Sequence, residues 1–279
     1  MSDTTLRLGA YEVVVRADGH GAVRHALSGE TMHSVNNPAE EAFRLYIEQP
    51  KISALVSTPG KPLVIWDVGL GAATNAMACI ETLEARNDIQ RELMLVSFEN
   101  DLDPLRLAAS NSKYFPHACH PAPARLLETK EWRSSELPIH WNLLDGDFLE
   151  RIAEAPVPDL IWYDPFSYKA NPDLWSLYAF ERVLAATDGQ ATRLYTYSAS
   201  TAVRATMVMA GWFVGRGYAT GPKIDTTVAY SPAAVAQGLA EHLLDAAWLS
   251  RWKRSDAQGP IGAAPTDARE RVEKHPQFR

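Results

Sequence analysis

The sequence contains little cysteine, has no excess of positive charge and lacks long apolar runs. Its two cysteines, Cys79 and Cys119, are too few for a disulfide framework or a zinc site built on cysteine, so we expect a protein of the reducing cytoplasm. Lysine and arginine total 27 against 34 aspartate and glutamate, giving a formal charge of -7 at pH 7. That balance argues against coating nucleic acid through overall charge, although a local basic patch remains compatible with RNA binding.

Signals for membranes, secretion and metals are also missing. The sequence has no run of about 18 apolar residues, the length that a membrane-spanning helix needs. Its first residues, MSDTTLRLGAYEVVVRADG, lack the basic and then apolar segments of a signal peptide. The histidines and cysteines do not follow a metal-ligand spacing. We therefore expect no membrane span, no secretion and no bound metal.

Turn and cap residues predict how the chain begins. A β-rich stretch at residues 11–16 runs into the turn pair Asp18 and Gly19, which predicts an N-terminal hairpin. Asn37 is followed by proline and then by acidic residues, which is typical of a capped helix start, and we expect that helix to reach about Gln49. The sequence thus predicts a small β lobe ahead of the main domain.

Short apolar strands alternate with helical stretches through most of the sequence. Predicted strands lie at residues 63–66, 93–98, 139–144, 160–163 and 193–198. This alternation predicts an α/β fold with a doubly wound, mostly parallel sheet of the Rossmann-like type. We expect an N-terminal β-hairpin lobe at 1–36, a main domain at 37–254, and a loosely ordered tail at 255–279 that is rich in glycine, alanine, proline and charge.

A glycine turn, DVGLGAATN at Asp67–Asn75, follows the first buried strand of the main domain. Gly69 and Gly71 allow a sharp turn and close approach of a ligand to the backbone. Thr74 stands where the dinucleotide fingerprint needs a third glycine, so pyrophosphate binding is less favoured. A sulfonium nucleoside with an amino-acid tail, S-adenosylmethionine, fits the pattern better.

Acidic residues follow the strands around this turn. We expect Asp67 to bind the cofactor's ammonium group, Glu99 its ribose hydroxyls and Asp147 its adenine edge, with Asn75 also at the cofactor. Because ligands of doubly wound sheets bind at the carboxyl ends of the strands, these acids and Asp164 are expected at one edge. Each acid could instead be only a turn or helix cap.

The loop after the fourth strand, IWYDPFSYKANPDLW at 161–175, is unusually rich in aromatic and charged residues. We expect Asp164 beside the methyl donor, Phe166 and Tyr168 against a planar base, and Lys169 at a phosphate. The alternative is structural: the pattern favours Phe166 and Trp175 as core residues, and Asn-Pro-Asp at 171–173 is also typical of a helix start.

Together these motifs resemble the methyltransferase domain of the bacterial MnmC enzymes, over residues from about Gly29 to Lys223. The most specific are YDPFSYKANPDLW (163–175) and YSASTAVRATMVMAGWFVG (197–215). The other matching segments are GETMHS (29–34), AEEAFRLYIEQ (39–49), DVGLGAATN (67–75), SFEND (97–101) and DGDF (145–148).

The resemblance implies an S-adenosylmethionine cofactor and methylation of 5-aminomethyl-2-thiouridine to 5-methylaminomethyl-2-thiouridine at the tRNA wobble position. It also implies that Asp164 sits beside the donor methyl group and the substrate amine. Full MnmC enzymes carry a fused flavin oxidase domain. This chain resembles the stand-alone methyltransferase type, so an oxidase acting upstream would be a separate partner.

The sequence departs from the family where members commonly carry a Gly-Arg-Lys-Arg motif, since it reads GPKIDT at 221–226. The remaining candidates for an RNA-binding face are Arg193, Arg204, Arg216, Lys223 and the Arg-Trp-Lys-Arg cluster at 251–254. Two alternatives therefore stay open: a methyltransferase acting on a small-molecule amine or another modified nucleoside, and a non-catalytic sensor of an adenosine ligand.

Overall fold

The computed structural model describes residues 6–16, 19–32, 37–220 and 224–279. The chain divides into two compact units, residues 1–151 and 152–279. Asp18 of the expected turn, the last two residues of GETMHS and Lys223 of the expected basic face lie outside the described residues.

The first unit begins with a small antiparallel sheet. Its strands are β1 (Arg7–Leu8), β2 (Tyr11–Val15) and β3 (Gly21–His25), with β2 in the middle. The predicted hairpin is confirmed and gains one short strand. Glu12 accepts hydrogen bonds from both Arg7 and Arg24, which ties the three strands together on the exposed face.

Helical residues follow up to Glu48, as the sequence predicted, but in two segments, and a further short helix comes after them. Helix α1 (Pro38–Ala42) starts at the Asn37 cap, whose Oδ1 accepts a hydrogen bond from Ala39 N at 3.0 Å. The chain continues into a π-helix at Phe43–Glu48 and then into α2 (Ile52–Val56). The buried face of this region includes Leu45, Tyr46 and Ile47.

The rest of the first unit alternates strands with helices. Its elements are β4 (Leu63–Val68), α3 (Thr74–Glu84), β5 (Leu93–Glu99), α4 (Asp103–Ser110), α5 (Pro121–Thr129), β6 (Glu131–Arg133), β7 (Ile139–Asp145) and α6 (Phe148–Arg151). Strands β4, β5 and β7 pair in parallel in that order, and β6 joins β7 antiparallel. Every residue of β4 is buried, as expected for a parallel strand covered on both faces.

The second unit is built the same way and ends in an antiparallel edge. Its elements are β8 (Leu160–Tyr163), α7 (Leu177–Ala186), β9 (Arg193–Thr196), α8 (Thr201–Met209), β10 (Phe213–Gly217), β11 (Thr226–Tyr230), α9 (Pro232–Ala236), α10 (Ala246–Trp252) and α11 (Ala268–Glu273). Strand β8 pairs parallel with β9, whereas β11 lies antiparallel between β9 and β10.

Large aromatic side chains fill the core of each unit. In the first, Phe98 packs against Trp66 and Phe148 with ring centroids 5.4 and 4.8 Å away. In the second, Trp175 and Phe180 pack around Tyr163. The predicted fold class is therefore confirmed: a mostly parallel, Rossmann-like α/β fold with a small N-terminal β lobe.

The segment 255–279 differs from the loosely ordered tail that its composition predicted. It contains α11, whose Ala268 and Val272 are buried, and it ends in a short 3₁₀ helix. Gln277 Oε1 accepts a hydrogen bond from Val214 N at 2.7 Å, while its Nε2 donates to Val214 O at 2.8 Å. The side chain thus pairs with the backbone of β10 as a neighbouring strand would.

Candidate functional site

The glycine turn connects β4 to α3 through backbone conformations that few residues adopt. Gly69 and Gly71 have φ of 90° and 53°, and Ala73 has 64°. Gly69 N donates to Phe98 O at 3.1 Å, which anchors the start of the turn on the end of β5. A Cβ on Gly71 would lie 3.0 Å from Met32 Sδ, which is part of a flexible side chain, so the positive φ is the stronger reason for glycine there.

Glu99, at the end of β5, binds the glycine turn directly. Its Oε2 accepts a hydrogen bond from Gly71 N at 3.0 Å, and its Oε1 accepts from Asn100 N and Asp101 N at 3.0 and 3.1 Å. Burial raises the pKa of Glu99 above its ordinary value, although the three N–H donors act in the opposite direction. Carboxylate oxygens accept more than one hydrogen bond each, so this geometry leaves capacity for ribose hydroxyls.

Asp67 is held by a relay of side chains that the sequence did not indicate. Ser97 Oγ donates to Asp67 Oδ2 at 2.6 Å, and Trp141 Nε1 donates to Ser97 Oγ at 2.8 Å. Asp67 is only 1% exposed. A register that pairs residue 67 with residue 97 on β5 explains the contact, and it fixes the orientation of the carboxylate.

Tyr11 is a second neighbour of this region that was not predicted. It lies on β2, is buried, and packs against His25 with ring centroids 5.3 Å apart. Burial and the nearby carboxylates of Asp101, Glu99 and Asp103 raise its pKa to about 12. The N-terminal lobe therefore supplies a neutral phenol to the acidic loop after β5.

Asn75 and Asp147 are placed differently from each other. Asn75 is buried in the first turn of α3, beside the glycine turn. Asp147 is exposed, and its Oδ1 accepts from Leu149 N and Glu150 N at 2.8 and 3.2 Å, which caps α6. Asp147 therefore acts as a helix cap, which was the structural alternative for these acidic residues. Its contact with an adenine stays a prediction.

In the second unit, the loop after β8 is fixed by aromatic side chains. Asp164 directly follows β8 and is half-buried. Tyr197 Oη donates to Pro165 O at 3.0 Å, and Trp175 Nε1 donates to Phe166 O at 2.7 Å. Tyr163 Oη donates to Leu174 O near the other end of the loop. The backbone next to Asp164 is therefore held from two sides.

The other residues expected in this loop divide between core and surface. Trp175 is fully buried, which confirms its interpretation as a core residue. Phe166 is half-buried, so the core interpretation is wrong for that residue. Tyr168 is also half-buried and Lys169 is exposed. Asn-Pro-Asp at 171–173 leads into a short 3₁₀ helix, Asp173–Trp175.

One arginine of the expected RNA-binding face is buried, and a second lies beside a carboxylate. Arg204 is 6% exposed; its Nη2 donates to Asp225 Oδ1 at 2.9 Å and its Nε to Thr227 Oγ1 at 3.0 Å. Arg216 Nε lies 3.5 Å from Asp225 Oδ2. In the cluster at 251–254, Trp252 is buried and the three basic residues are exposed. Arg204 is therefore a structural cation rather than a phosphate ligand.

The described residues of the two units form neither a metal-ligand cluster nor a membrane-spanning helix. Among those residues, no group of three or more histidine, cysteine, aspartate or glutamate side chains could hold a metal ion. No helix formed by the described residues has both the length and the hydropathy needed to cross a membrane.

Residues 113–232 match the family described as S-adenosyl-L-methionine-dependent methyltransferase. The structure is similar to MnmC2 from Aquifex aeolicus, with a TM-score of 0.70 and 21% identity over 97% of this chain and 86% of that one. A probable spermidine synthase from Corynebacterium glutamicum has a TM-score of 0.47 and 14% identity over 92% of this chain and 94% of that one. No curated protein matches the chain.

The matched segment contains the whole loop from Asp164 to Trp175, and the fold agrees with that of MnmC2 over nearly the full length. The chain is an S-adenosylmethionine-dependent methyltransferase with an MnmC-like fold.

Proposed function

We propose that this enzyme transfers the methyl group of S-adenosylmethionine to the aminomethyl nitrogen of 5-aminomethyl-2-thiouridine at the wobble position of tRNA. The observation that carries the proposal is the loop after β8. Its Asp-Pro-Phe-Ser-Tyr-Lys-Ala-Asn-Pro-Asp sequence, from Asp164 to Asp173, resembles the MnmC methyltransferase domain. Tyr197, which donates to the Pro165 carbonyl, belongs to the second motif of the same resemblance.

The cofactor contacts are proposed for the first unit. Asp67 binds the ammonium group, Glu99 binds the ribose hydroxyls and Asp147 lies toward the adenine, with Asn75 at the start of α3. Gly69 and Gly71 let the backbone approach the ligand. The arrangement fits such a ligand because Asp67 is oriented by Ser97, and Glu99 is bonded to the glycine turn itself. When bound, S-adenosylmethionine supplies an electrophilic methyl group on a sulfonium.

Asp164 is proposed as the catalytic carboxylate. An alkyl amine is mostly protonated at neutral pH, and only its free lone pair attacks carbon. A carboxylate next to the substrate would accept the ammonium proton and orient the lone pair that this frees. The nitrogen would then bond to the methyl carbon as the sulfur–carbon bond breaks, and S-adenosylhomocysteine would leave with that electron pair. Phe166 and Tyr168 are proposed to stack on the base and Lys169 to contact a phosphate, because all three are at least partly exposed beside Asp164.

The test uses tRNA that carries the aminomethyl precursor, from cells that accumulate it. Incubation with the pure protein and S-adenosylmethionine should add one methyl group to the aminomethyl nitrogen, measured by nucleoside mass analysis. A separate upstream oxidase, the proposed partner, would be the source of that precursor in cells. Absence of the methylated nucleoside, with a cofactor-loaded enzyme, would contradict the tRNA assignment.

A small-molecule amine or another modified nucleoside is the second candidate acceptor. It is favoured by one observation: Arg204 is buried, and both it and Arg216 pair with Asp225, so fewer cations remain for phosphates. Salt separates the two candidates. The affinity for tRNA should fall steeply as salt rises, whereas the KM for a small amine should change much less.

A further inference from the structure

One histidine outside the motifs contacts the glycine turn. His117 Nε2 lies 2.8 Å from Ala72 O, although the two residues are 45 positions apart. A carbonyl oxygen only accepts hydrogen bonds, so Nε2 carries the hydrogen and donates it. His117 belongs to a 3₁₀ helix, Pro116–Cys119, between α4 and α5.

The carbonyl that His117 binds lies in the most constrained part of the turn. It sits between Gly71 and Ala73, whose φ values are both positive, and Ala73 is an alanine in the left-handed region. The carbonyl of Ala73 accepts from Met77 N and so belongs to α3. Ala72 O lies one residue before that first helical acceptor. The His117 imidazole therefore donates the hydrogen bond to Ala72 O that no backbone N–H of α3 is shown to donate.

One side of the turn lines a pocket, although its residues are buried: Ala72 is 7% and Thr74 6% exposed. A pocket of about 250 Å³ lies there, and its lining includes Ala72, Thr74, Met32 and His117. Because Ala72 is buried, its carbonyl needs a hydrogen-bond donor from the protein, and the bond from His117 contributes to fixing the conformation of the turn.

The segment that carries His117 is itself firmly held. Gly21 N donates to Tyr114 O at 2.7 Å, and Phe115 is buried. At the other end, His120 Nε2 lies 3.3 Å from Glu84 Oε2, on the last residue of α3. The segment 117–120 therefore contacts α3 at its last residue and the turn just before its start.

We propose that His117 is a positioning residue for the cofactor. By binding Ala72 O it holds the glycine turn in the conformation in which Gly71 N meets Glu99 and the backbone is open to S-adenosylmethionine. This role rests on the proposed placement of the cofactor at the glycine turn. His117 need not touch the cofactor to exert it.

The test measures binding of S-adenosylmethionine and S-adenosylhomocysteine by calorimetry, which needs no acceptor. His117→Ala should raise the Kd of both ligands about threefold to tenfold, the range expected for one lost hydrogen bond. His117→Gln should restore most of the affinity, since its amide nitrogen reaches about as far as Nε2. His117→Asn is too short and should resemble the alanine variant. Cys119→Ser, at an exposed residue of the same 3₁₀ helix, is the control and should bind as the unmodified protein does.

Two results would overturn the inference. One is an unchanged Kd in His117→Ala. The other is equal weakening in the alanine, asparagine and glutamine variants together with a lower Tm, which would mean a general structural role. Glu99→Gln, measured in parallel, separates this inference from the cofactor site. If Glu99→Gln binds S-adenosylmethionine normally, the proposed placement of the cofactor at the glycine turn is wrong. If Glu99→Gln binds weakly but the His117 variants bind normally, the cofactor placement is retained and the positioning role of His117 is wrong.

Discussion

At the scale of one residue, Glu99 is both a predicted cofactor-binding residue and a structural contact of the glycine turn. The sequence assigned it to the ribose because it ends a strand, and the structure adds hydrogen bonds from Gly71, Asn100 and Asp101. These bonds depend on the backbone of two separate loops, which no local pattern reveals. The turn and its acid therefore act as one unit.

Because burial raises the pKa of Glu99, we predict that cofactor affinity falls on acidification at a higher pH than an ordinary glutamate would give. The protonated carboxyl loses acceptor capacity for hydroxyls. Glu99→Gln should bind S-adenosylmethionine about tenfold more weakly and with a flatter pH profile. Calorimetric titrations across the acidic range measure both effects. Glu128→Gln, at an exposed ion pair with Arg125, is the control and should leave the profile unchanged.

The same group gives a prediction for stability, with the sign fixed by linkage. A carboxyl whose pKa is raised on folding binds its proton more tightly in the folded state, so its stabilising contribution exists at low pH. That contribution is lost as the pH rises through the folded pKa. As the pH rises through the folded pKa of Glu99, the unfolding free energy of the unmodified protein should therefore decline relative to that of Glu99→Gln. Urea unfolding at several pH values measures this difference. A constant difference between the two would contradict the raised pKa.

Gly71→Ala should destabilise the protein and impair cofactor binding. The substitution forces a left-handed alanine, which costs about 1–2 kcal/mol, and places a Cβ 3.0 Å from Met32 Sδ. Gly189→Ala is a matched control, because Gly189 has φ of 71° and no neighbouring atom within 4 Å of an added Cβ. It should show the conformational cost in urea unfolding and bind S-adenosylmethionine normally. If both variants bound S-adenosylmethionine equally well, the proposal that the glycine turn contacts the cofactor would be wrong.

At the scale of elements, the loop after β8 depends on single side-chain donors. Trp175→Phe keeps an aromatic ring in the core but removes the donor to Phe166 O. We predict about 1 kcal/mol lower stability and a clear loss of methyl transfer, with cofactor affinity unchanged. Trp212→Phe removes a comparable buried donor, to Phe180 O at 3.1 Å. It should cost similar stability while methyl transfer persists, and equal losses of activity would argue against a special role for the loop.

The pair Arg204 and Asp225 links α8 to the residue preceding β11. Asp225→Ala would leave the buried guanidinium of Arg204 without its carboxylate, although Thr227 and the Thr226 carbonyl still accept from it. We predict a loss of about 3 kcal/mol in urea unfolding. The comparison is Asp145→Ala at the exposed pair with Lys130, 2.6 Å apart, where less than about 1 kcal/mol is expected. Similar losses at both pairs would mean that Arg204 is more hydrated than its burial indicates.

At the scale of the whole molecule, the features that the sequence predicted correctly are those with a local pattern of apolar residues or a motif at the end of a strand. The parallel strands, the glycine turn and Glu99 were found because each has a short signature. Strands β6 and β10 were missed because β6 is only three residues long and largely exposed, and β10 carries two glycines; β11 was not predicted either. Ser97 and His117 were missed because their roles arise only when residues far apart in the sequence meet, Ser97 with Asp67 and His117 with Ala72.

The last residues show how composition misleads at this scale. Gly, Ala, Pro and charge in 255–279 resemble a solvated tail, yet Gln277 bonds to β10 and to Leu244 O, at 2.9 Å. Gln277→Ala removes the acceptor of the Val214 N–H, while the Val214 carbonyl keeps its bond from Leu244 N, so we predict about 1–3 kcal/mol lower stability. Arg279→Ala, two residues on and exposed, should change stability by less than about 0.5 kcal/mol. Urea unfolding compares the two, and limited proteolysis of the unmodified protein should spare α11; early cleavage there would mean that the segment is not held by Gln277.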